Sequence, residues 1–519
     1  MSDIAVLLVV LGSLAVNALA TKFGRSAPLA LVVVGLIVSY VPGVPEFQID
    51  PNLILVLFLP PLVYSAALDS SYLAFRAKLR PIALLAVVLV LVTTVAVGFV
   101  AFWLVPGLPL ASALVLGAVV APPDAVAAAS IGRRLGLPRR VMTVLTGESL
   151  VNDATALTAF KVAIAAAVGT ATSWGAGILT FVVATAVGVL VGLVLGWLVH
   201  AVRTRVANDV VESALGLVVP FTAYLLAEAA HGSGVLAVVT AGLYLGHFGP
   251  YAGYTTRLQE TAVWRSVDVL LESVVFALIG LNFRYVFEQA AANGHPPASL
   301  VWPVVAVLLA TILIRVVWVL PTMYLPVFGR HRSHQAPWRN IAVIAWSGMR
   351  GVVSLAAAAA VPESVPGRDL VLLLAFTVTV GTLLIQGTTL PWLIRVLGVT
   401  GDDEAADTLA EAQAAHDAAM AAVQRLDELV ADDGSYTPEP IVERLRTLAE
   451  RRGNAAWERL GRQDMESPTA SFRRLRLETL EAERAVYVTA RNNGEIDDEV
   501  LRRVLRDLDL EQARLVSRD

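Results

Sequence analysis

The sequence contains no cysteine, which removes disulfides and thiolate metal sites from the account. Charge is scarce too: 16% of the 519 residues are Asp, Glu, Lys or Arg, against 56% hydrophobic. That excludes a disordered chain and is too apolar for an ordinary soluble one. The first apolar run lacks a preceding basic region and a small-residue cleavage site, so it reads as a retained span and not a removable signal. No enzyme motif occurs in the polar C-terminal part.

What the chain does have is long apolar runs. A hydrocarbon core of roughly 30 Å takes about 20 helical residues. Thirteen segments qualify, near 4–21, 27–43, 51–68, 81–105, 110–131, 138–168, 174–201, 210–230, 233–248, 265–283, 300–326, 339–361 and 369–395. Alternate loops carry the basic residues: Lys22 and Arg25; Arg76, Lys78 and Arg80; Arg133, Arg134, Arg139 and Arg140; Arg203 and Arg205; Arg257 and Arg265; Arg330, Arg332 and Arg339. The intervening loops hold only Arg284 and Arg368. Cytoplasmic loops collect Lys and Arg, so the N-terminus is expected outside and everything after residue 396 inside.

The net charge of −4 conceals two regions. Residues 401–519 carry 27 acidic and 17 basic side chains, and the membrane part carries 16 and 22. The expected domains are therefore a transmembrane unit, 1–400, and a cytoplasmic α-helical unit, 401–519. The latter should form about four amphipathic helices, broken near Asp433-Gly434-Ser435, Ser467-Pro468 and Asn492-Asn493-Gly494. It is either a solvated appendage or a regulatory or dimer-associated domain drawn to the basic inner face.

Ionisable groups inside the hydrocarbon are costly and by default mark an ion or proton pathway. Glu148, Ser149, Asn152 and Asp153 lie within the sixth span. Ser149 and Asp153, four apart, share one helix face, and Glu148 and Asn152 share an adjacent one. Asp153 is about 22 Å along the helix from Pro138, near mid-membrane. So long a span predicts tilt, or a break near Gly147. In the fifth span Pro122 and Pro123 remove two amide donors just before Asp124, so the helix must be disturbed there. Carbonyls freed in this way are oxygen ligands that alkali cations accept.

The twelfth span holds Arg350 within Ser347-Gly348-Met349-Arg350-Gly351, a second candidate unwound stretch. Broken helices in corresponding halves point to a transporter's midplane site and to inverted repeats. A buried arginine keeps its charge and needs a partner. Glu148 is the expected one, leaving Asp153 and Asp124 for cation or protons. Glu272 and Arg315, in the tenth and eleventh spans, form a second possible ion pair. Lys161 is expected to snorkel to the outer interface.

These residues resemble the monovalent cation/proton antiporter 1 family, the sodium/proton exchangers, in their bacterial form. The resemblance rests on Gly147-Glu148-Ser149-Leu150-Val151-Asn152-Asp153, on Asp124, and on Gly348-Met349-Arg350-Gly351-Val352-Val353-Ser354-Leu355-Ala356. Further landmarks are Ser233-Gly234-Val235-Leu236-Ala237-Val238 and Phe276-Ala277-Leu278-Ile279-Gly280-Leu281. It covers about residues 1–400. It implies an all-α polytopic membrane protein of about 13 transmembrane helices, with inverted repeats and interrupted crossing helices, forming a homodimer in the plasma membrane. It implies exchange of Na+, with Li+ or K+ as alternatives, for H+, by alternating access, with no cofactor and no nucleic-acid partner. Asp153 would be the essential cation- and proton-binding carboxylate, with Asp124 and Ser149 as further ligands. Asn152 would mark an electroneutral exchanger, and Glu148 with Arg350 would brace the site.

The chain departs from the family at two places. The usual Thr-Asp-Pro is Pro123-Asp124-Ala125, so Pro123 could contribute only through its carbonyl. Some microbial members also have a glutamate near Ser65. Both departures bear on the ion preferred. A K+/H+ antiporter of the same mechanism is the alternative, and two readings from other classes fit the sequence less well. A cation channel lacks its Thr-Val-Gly-Tyr-Gly filter here, and an intramembrane aspartyl protease lacks Gly-x-Gly-Asp.

Overall fold

The computed structural model describes residues 3–42, 44, 54–169, 174–206, 208–292, 297–324, 337–401, 404–432, 438–461, 468–493 and 496–516. Arg330, Arg332 and the first and last expected tail breaks at 433–435 and Gly494 lie outside them, as does Ser467. The chain separates into two compact units, Met1–Thr400 and Gly401–Asp519.

Each of the thirteen apolar segments forms helix over most of its described part, and two of them are interrupted. The unit begins with α1 (Asp3–Lys22), α2 (Ala27–Ser39), α3 (Leu59–Leu68) and the short α4 (Tyr72–Ala77). Next is α5 (Leu79–Leu104), which contains a π-helical turn at Leu84–Leu89. The fifth segment is split into α6 (Leu110–Val120) and α7 (Ala125–Arg134). After it come α8 (Arg139–Ala167), α9 (Trp174–Arg203), α10 (Asp209–Ala229), α11 (Gly234–Phe248), α12 (Tyr254–Ala292) and α13 (Pro297–Tyr324). The twelfth segment is split as well, into α14 (Trp338–Trp346) and α15 (Val352–Ala359), before α16 (Arg368–Leu397). Among the described residues eight helices are long and apolar enough to cross a membrane.

The two splits have local causes. Pro122 and Pro123 cannot donate to the carbonyls four residues back, so α6 stops at Val120. The Asp124 amide then turns away from its own helix and donates to the Met349 carbonyl at 2.6 Å. In the twelfth segment Gly351 adopts φ −140°, ψ −142° and separates two short helices. That break is satisfied from outside, with the Arg350 amide donating to Thr382 Oγ1 at 3.0 Å. Irregular backbone at membrane depth survives only where protein or a wet cavity completes it. Here each break completes the other.

The sixth segment, in contrast, is not broken. The helix α8 runs for 29 residues, and Gly147 serves close packing: a Cβ there would sit 2.5 Å from Ile82 Cδ1. One large apolar cluster takes Val141, Val144, Leu145 and Phe160 of α8 together with residues of α5, α6, α13 and α16. A second takes Leu150 and Ala154 with residues of α3, α10 and α11. Helix α8 thus lies along the seam between two cores.

The C-terminal unit forms α17 (Glu404–Asp432), α18 (Glu439–Gly461), α19 (Pro468–Asn492) and α20 (Asp498–Val516). Arg446 of α18 pairs with Asp427 of α17 at 2.7 Å, and Arg476 of α19 with Glu511 of α20 at 2.8 Å.

Candidate ion site

A cavity of about 1160 Å³ reaches the two breaks. Its deep wall includes Pro123, Asp124, Ser149, Asp153 and Gly351–Ser354. Its other end includes Arg133, Arg139, Arg203, Arg257 and Arg265. Along α8 the wall runs through Arg139, Met142, Thr143, Thr146, Ser149 and Asp153, one stripe at helical spacing. It therefore descends about 21 Å at 1.5 Å per residue.

Asp124 is the N-cap of α7, where its Oδ1 accepts the Val126 amide at 2.7 Å. Its carboxylate also presses on Gly351 so closely that no Cβ could stand there. The acid thus lies where two half-helices, α7 and α15, begin, and their N-terminal amides carry partial positive charge. Asp153, 7% exposed, lines the same cavity. It makes no hydrogen bond to any described residue. Asn152 is fully buried and is not part of the cavity wall; its amide donates to the Pro123 carbonyl at 2.6 Å. It braces the broken backbone from behind.

The expected ion pairs are not the ones that form. Glu148 is held by Arg315, not Arg350: Nη1 donates to Oε1 at 2.5 Å and Nη2 to Oε2 at 2.9 Å, with the two side chains 2% and 1% exposed. Arg315 Nη2 also donates to the Ile344 carbonyl at 3.1 Å. Arg350 needs no carboxylate. Its Nε donates to the Val120 carbonyl at 2.8 Å and its Nη1 to that of Gly348. The α-helical partner of the Val120 carbonyl would be the Asp124 amide, which has gone to Met349. A half-helix C-terminus carries partial negative charge, and Arg350 takes it up there. The crossing therefore carries a carboxylate at the helix starts and a guanidinium at a helix end.

Glu272 is consequently not bonded to Arg315. It lines the cavity with Asp268, four residues earlier on α12. Asp268 escaped the sequence reading, although two acids at i and i+4 in an apolar segment are the same signal that singled out the sixth span. Its Oδ2 accepts from Ser65 Oγ at 2.5 Å. Lys161 pairs with Glu228 of α10 at 2.8 Å, with 60% of its side chain exposed.

Residues 4–396 match the family model of the transmembrane sodium/hydrogen exchangers. An uncharacterized Na+/H+ exchanger of Mycobacterium tuberculosis is 35% identical over 514 residues, covering 95% of this chain and 93% of that one. The Na+/H+ antiporter ApNhaP of Aphanothece halophytica is 32% identical over 437 residues, 82% of this chain and 79% of its own. In fold, the chain is similar to the sodium proton antiporter MjNhaP1 of Methanocaldococcus jannaschii, with a TM-score of 0.59 at 18% identity, over 76% of this chain and 98% of that one. Two broken helices crossing beside a buried aspartate thus go with a near full-length match, and the chain belongs to the sodium/hydrogen exchanger family.

Proposed function

We propose that the protein exchanges Na+ for H+ across the plasma membrane, with cation and proton competing for Asp153. The observation that carries this reading is a buried carboxylate with no described partner, facing a cavity that it shares with Asp124 and Ser149. Such a group in low dielectric needs a counter-charge. A bound cation supplies one and a bound proton removes the need. One carboxylate then holds either ion, and alternating access around it gives exchange without leak.

Asp124 and Ser149 act as further oxygen ligands. Pro123 contributes by the lone pair of its carbonyl that the Asn152 amide leaves open. Asn152, being neutral, keeps a second charge out of the site, which favours one-for-one, electroneutral exchange. The cavity mouth lies among arginines of the loops expected inside, so this conformation is the one open to the cytoplasm. A homodimer is the assembly proposed. A K+/H+ exchanger of the same mechanism differs only in the ion preferred. The channel and protease readings gain nothing from the family.

The test is purified protein in proteoliposomes carrying a pH-sensitive dye. An imposed Na+ gradient drives proton movement in the wild type. Asp153→Asn abolishes it while leaving the thermal unfolding profile unchanged. Sodium-driven proton flux surviving in that variant would sink the proposal.

A further inference from the structure

Hydroxyls inside the membrane unit mostly satisfy themselves on a carbonyl one turn back. Thr94 bonds to Val90, Thr158 to Ala154, Thr311 to Val307 and Thr379 to Ala375, at 2.7–2.8 Å. Among the described residues four buried hydroxyls make no bond at all: Ser26, Tyr64, Ser112 and Ser354. Of these Ser354 alone lines the cavity that holds Asp124 and Asp153. It is 1% exposed. An unbonded hydroxyl buried to that degree costs free energy unless something in the cavity engages it.

Its place in the fold says what that is. Ser354 sits in the first turn of α15, three residues after Gly351, whose backbone abuts the Asp124 carboxylate. The residue on the other side of that crossing, Pro123, has no hydroxyl, and its carbonyl already accepts the Asn152 amide. Beside the two acids Pro123 thus offers one remaining carbonyl lone pair, and α15 adds a neutral hydroxyl oxygen. Hard monovalent cations take oxygen ligands, and a neutral hydroxyl adds coordination without adding charge.

We propose that Ser354 is a ligand of the transported cation, so that the site draws its oxygens from both broken helices as well as from α8. The inference rests on the exchange reading above. It makes Ser354 a determinant of cation affinity and of the order among Na+, Li+ and K+. It assigns Ser354 no part in carrying the proton.

The full-length protein in proteoliposomes tests it, with Na+, Li+ and K+ each driving proton flux. In Ser354→Ala the KM for Na+ rises about tenfold, the size expected for losing one buried polar contact, while kcat stays within about twofold. Ser354→Thr, which keeps the hydroxyl, restores KM, and the Na+/K+ preference narrows only in the alanine variant. Thermal stabilisation by added NaCl shrinks in parallel. Wild-type KM for all three cations in Ser354→Ala overturns the proposal, as does an equal loss in the alanine and threonine variants. Should Ser354→Ala not fold, Ser354→Cys presents a softer atom in nearly the same space, and a wild-type KM for Na+ there overturns the proposal equally. Wild-type protein without cation-driven flux refutes the exchange reading instead. In that event NaCl stabilisation of wild type over Ser354→Ala supports a cation ligand, and equal stabilisation removes it.

Discussion

Two carboxylates five residues apart on α8 meet opposite fates. Glu148 points into the large apolar core and is clamped by both terminal nitrogens of Arg315, Nη1 and Nη2. Asp153 faces the cavity and makes no hydrogen bond to any described residue. The chemistry of the two acids is nearly the same, so their surroundings divide the labour. A carboxylate whose charge is already matched is a brace. One whose charge is left open can hold an exchangeable ion, the role proposed for Asp153. The broken helices follow the same logic, because Arg350 is committed to backbone carbonyls and stays out of the cavity's charge balance.

The largest break in that comparison is Asp153→Asn, which should remove sodium-driven proton flux and leave the thermal unfolding profile unchanged. The reverse pattern belongs to the brace. Glu148→Ala or Arg315→Ala leaves its partner charged and unpaired in the core, at a cost of about 3–5 kcal/mol. Thermal unfolding in detergent reads that loss directly. The double replacement Glu148→Leu with Arg315→Met should recover most of the stability, since a buried pair is often no better than packed apolar groups. Wild-type stability in either single variant would contradict the assignment of the pair.

A middle-sized effect is expected at Asn152. With this neutral residue in place, clamping the membrane potential should leave the rate of sodium-driven pH change unaltered. Asn152→Asp adds a charge beside Asp153 and removes the amide that holds Pro123, so the rate should become voltage-dependent and lower. A strong voltage dependence in the wild type would rule out one-for-one exchange.

The smallest effect lies in the C-terminal unit. There Arg476 holds the Glu511 carboxyl below its ordinary range through two hydrogen bonds, with water close by. A folded-state value below the unfolded one gives stability that is present above about pH 4.3 and is lost as pH falls through the folded value. Glu511→Gln should therefore shift unfolding slightly at neutral pH and leave it unchanged once the pH is below the folded-state value. Exposed pairs contribute little, so the contrast with Glu148 measures what burial adds. A large loss at neutral pH would show that the tail pair acts as a brace too.

Much of this was legible in the sequence, because its signals are local. Pro122-Pro123 and the glycines around Arg350 announce broken helices, and Asp124, Ser149 and Asp153 announce themselves as polar groups in hydrocarbon. Partners were less legible. Arg350 was expected to need a carboxylate, but its acceptors are main-chain carbonyls, which no side-chain letter records. Once Arg350 is satisfied that way, Glu148 is free for Arg315, which lies 167 residues away in sequence, and Glu272 is left to the cavity. A choice among two arginines and several acids is made by packing, which periodicity does not encode. Gly147 shows the same limit: its type suggested a break, and only the nearness of Ile82 explains it as a contact.

Competition between cation and proton at one carboxylate is the central claim, and the pH dependence of the apparent KM for Na+ tests it most directly. In proteoliposomes measured from about pH 6 to pH 9, KM should rise towards one decade per pH unit on the acid side, with maximal rate largely recovered at saturating Na+. A KM that stays flat across this range, with only the maximal rate changing, would mean that the two ions do not share Asp153.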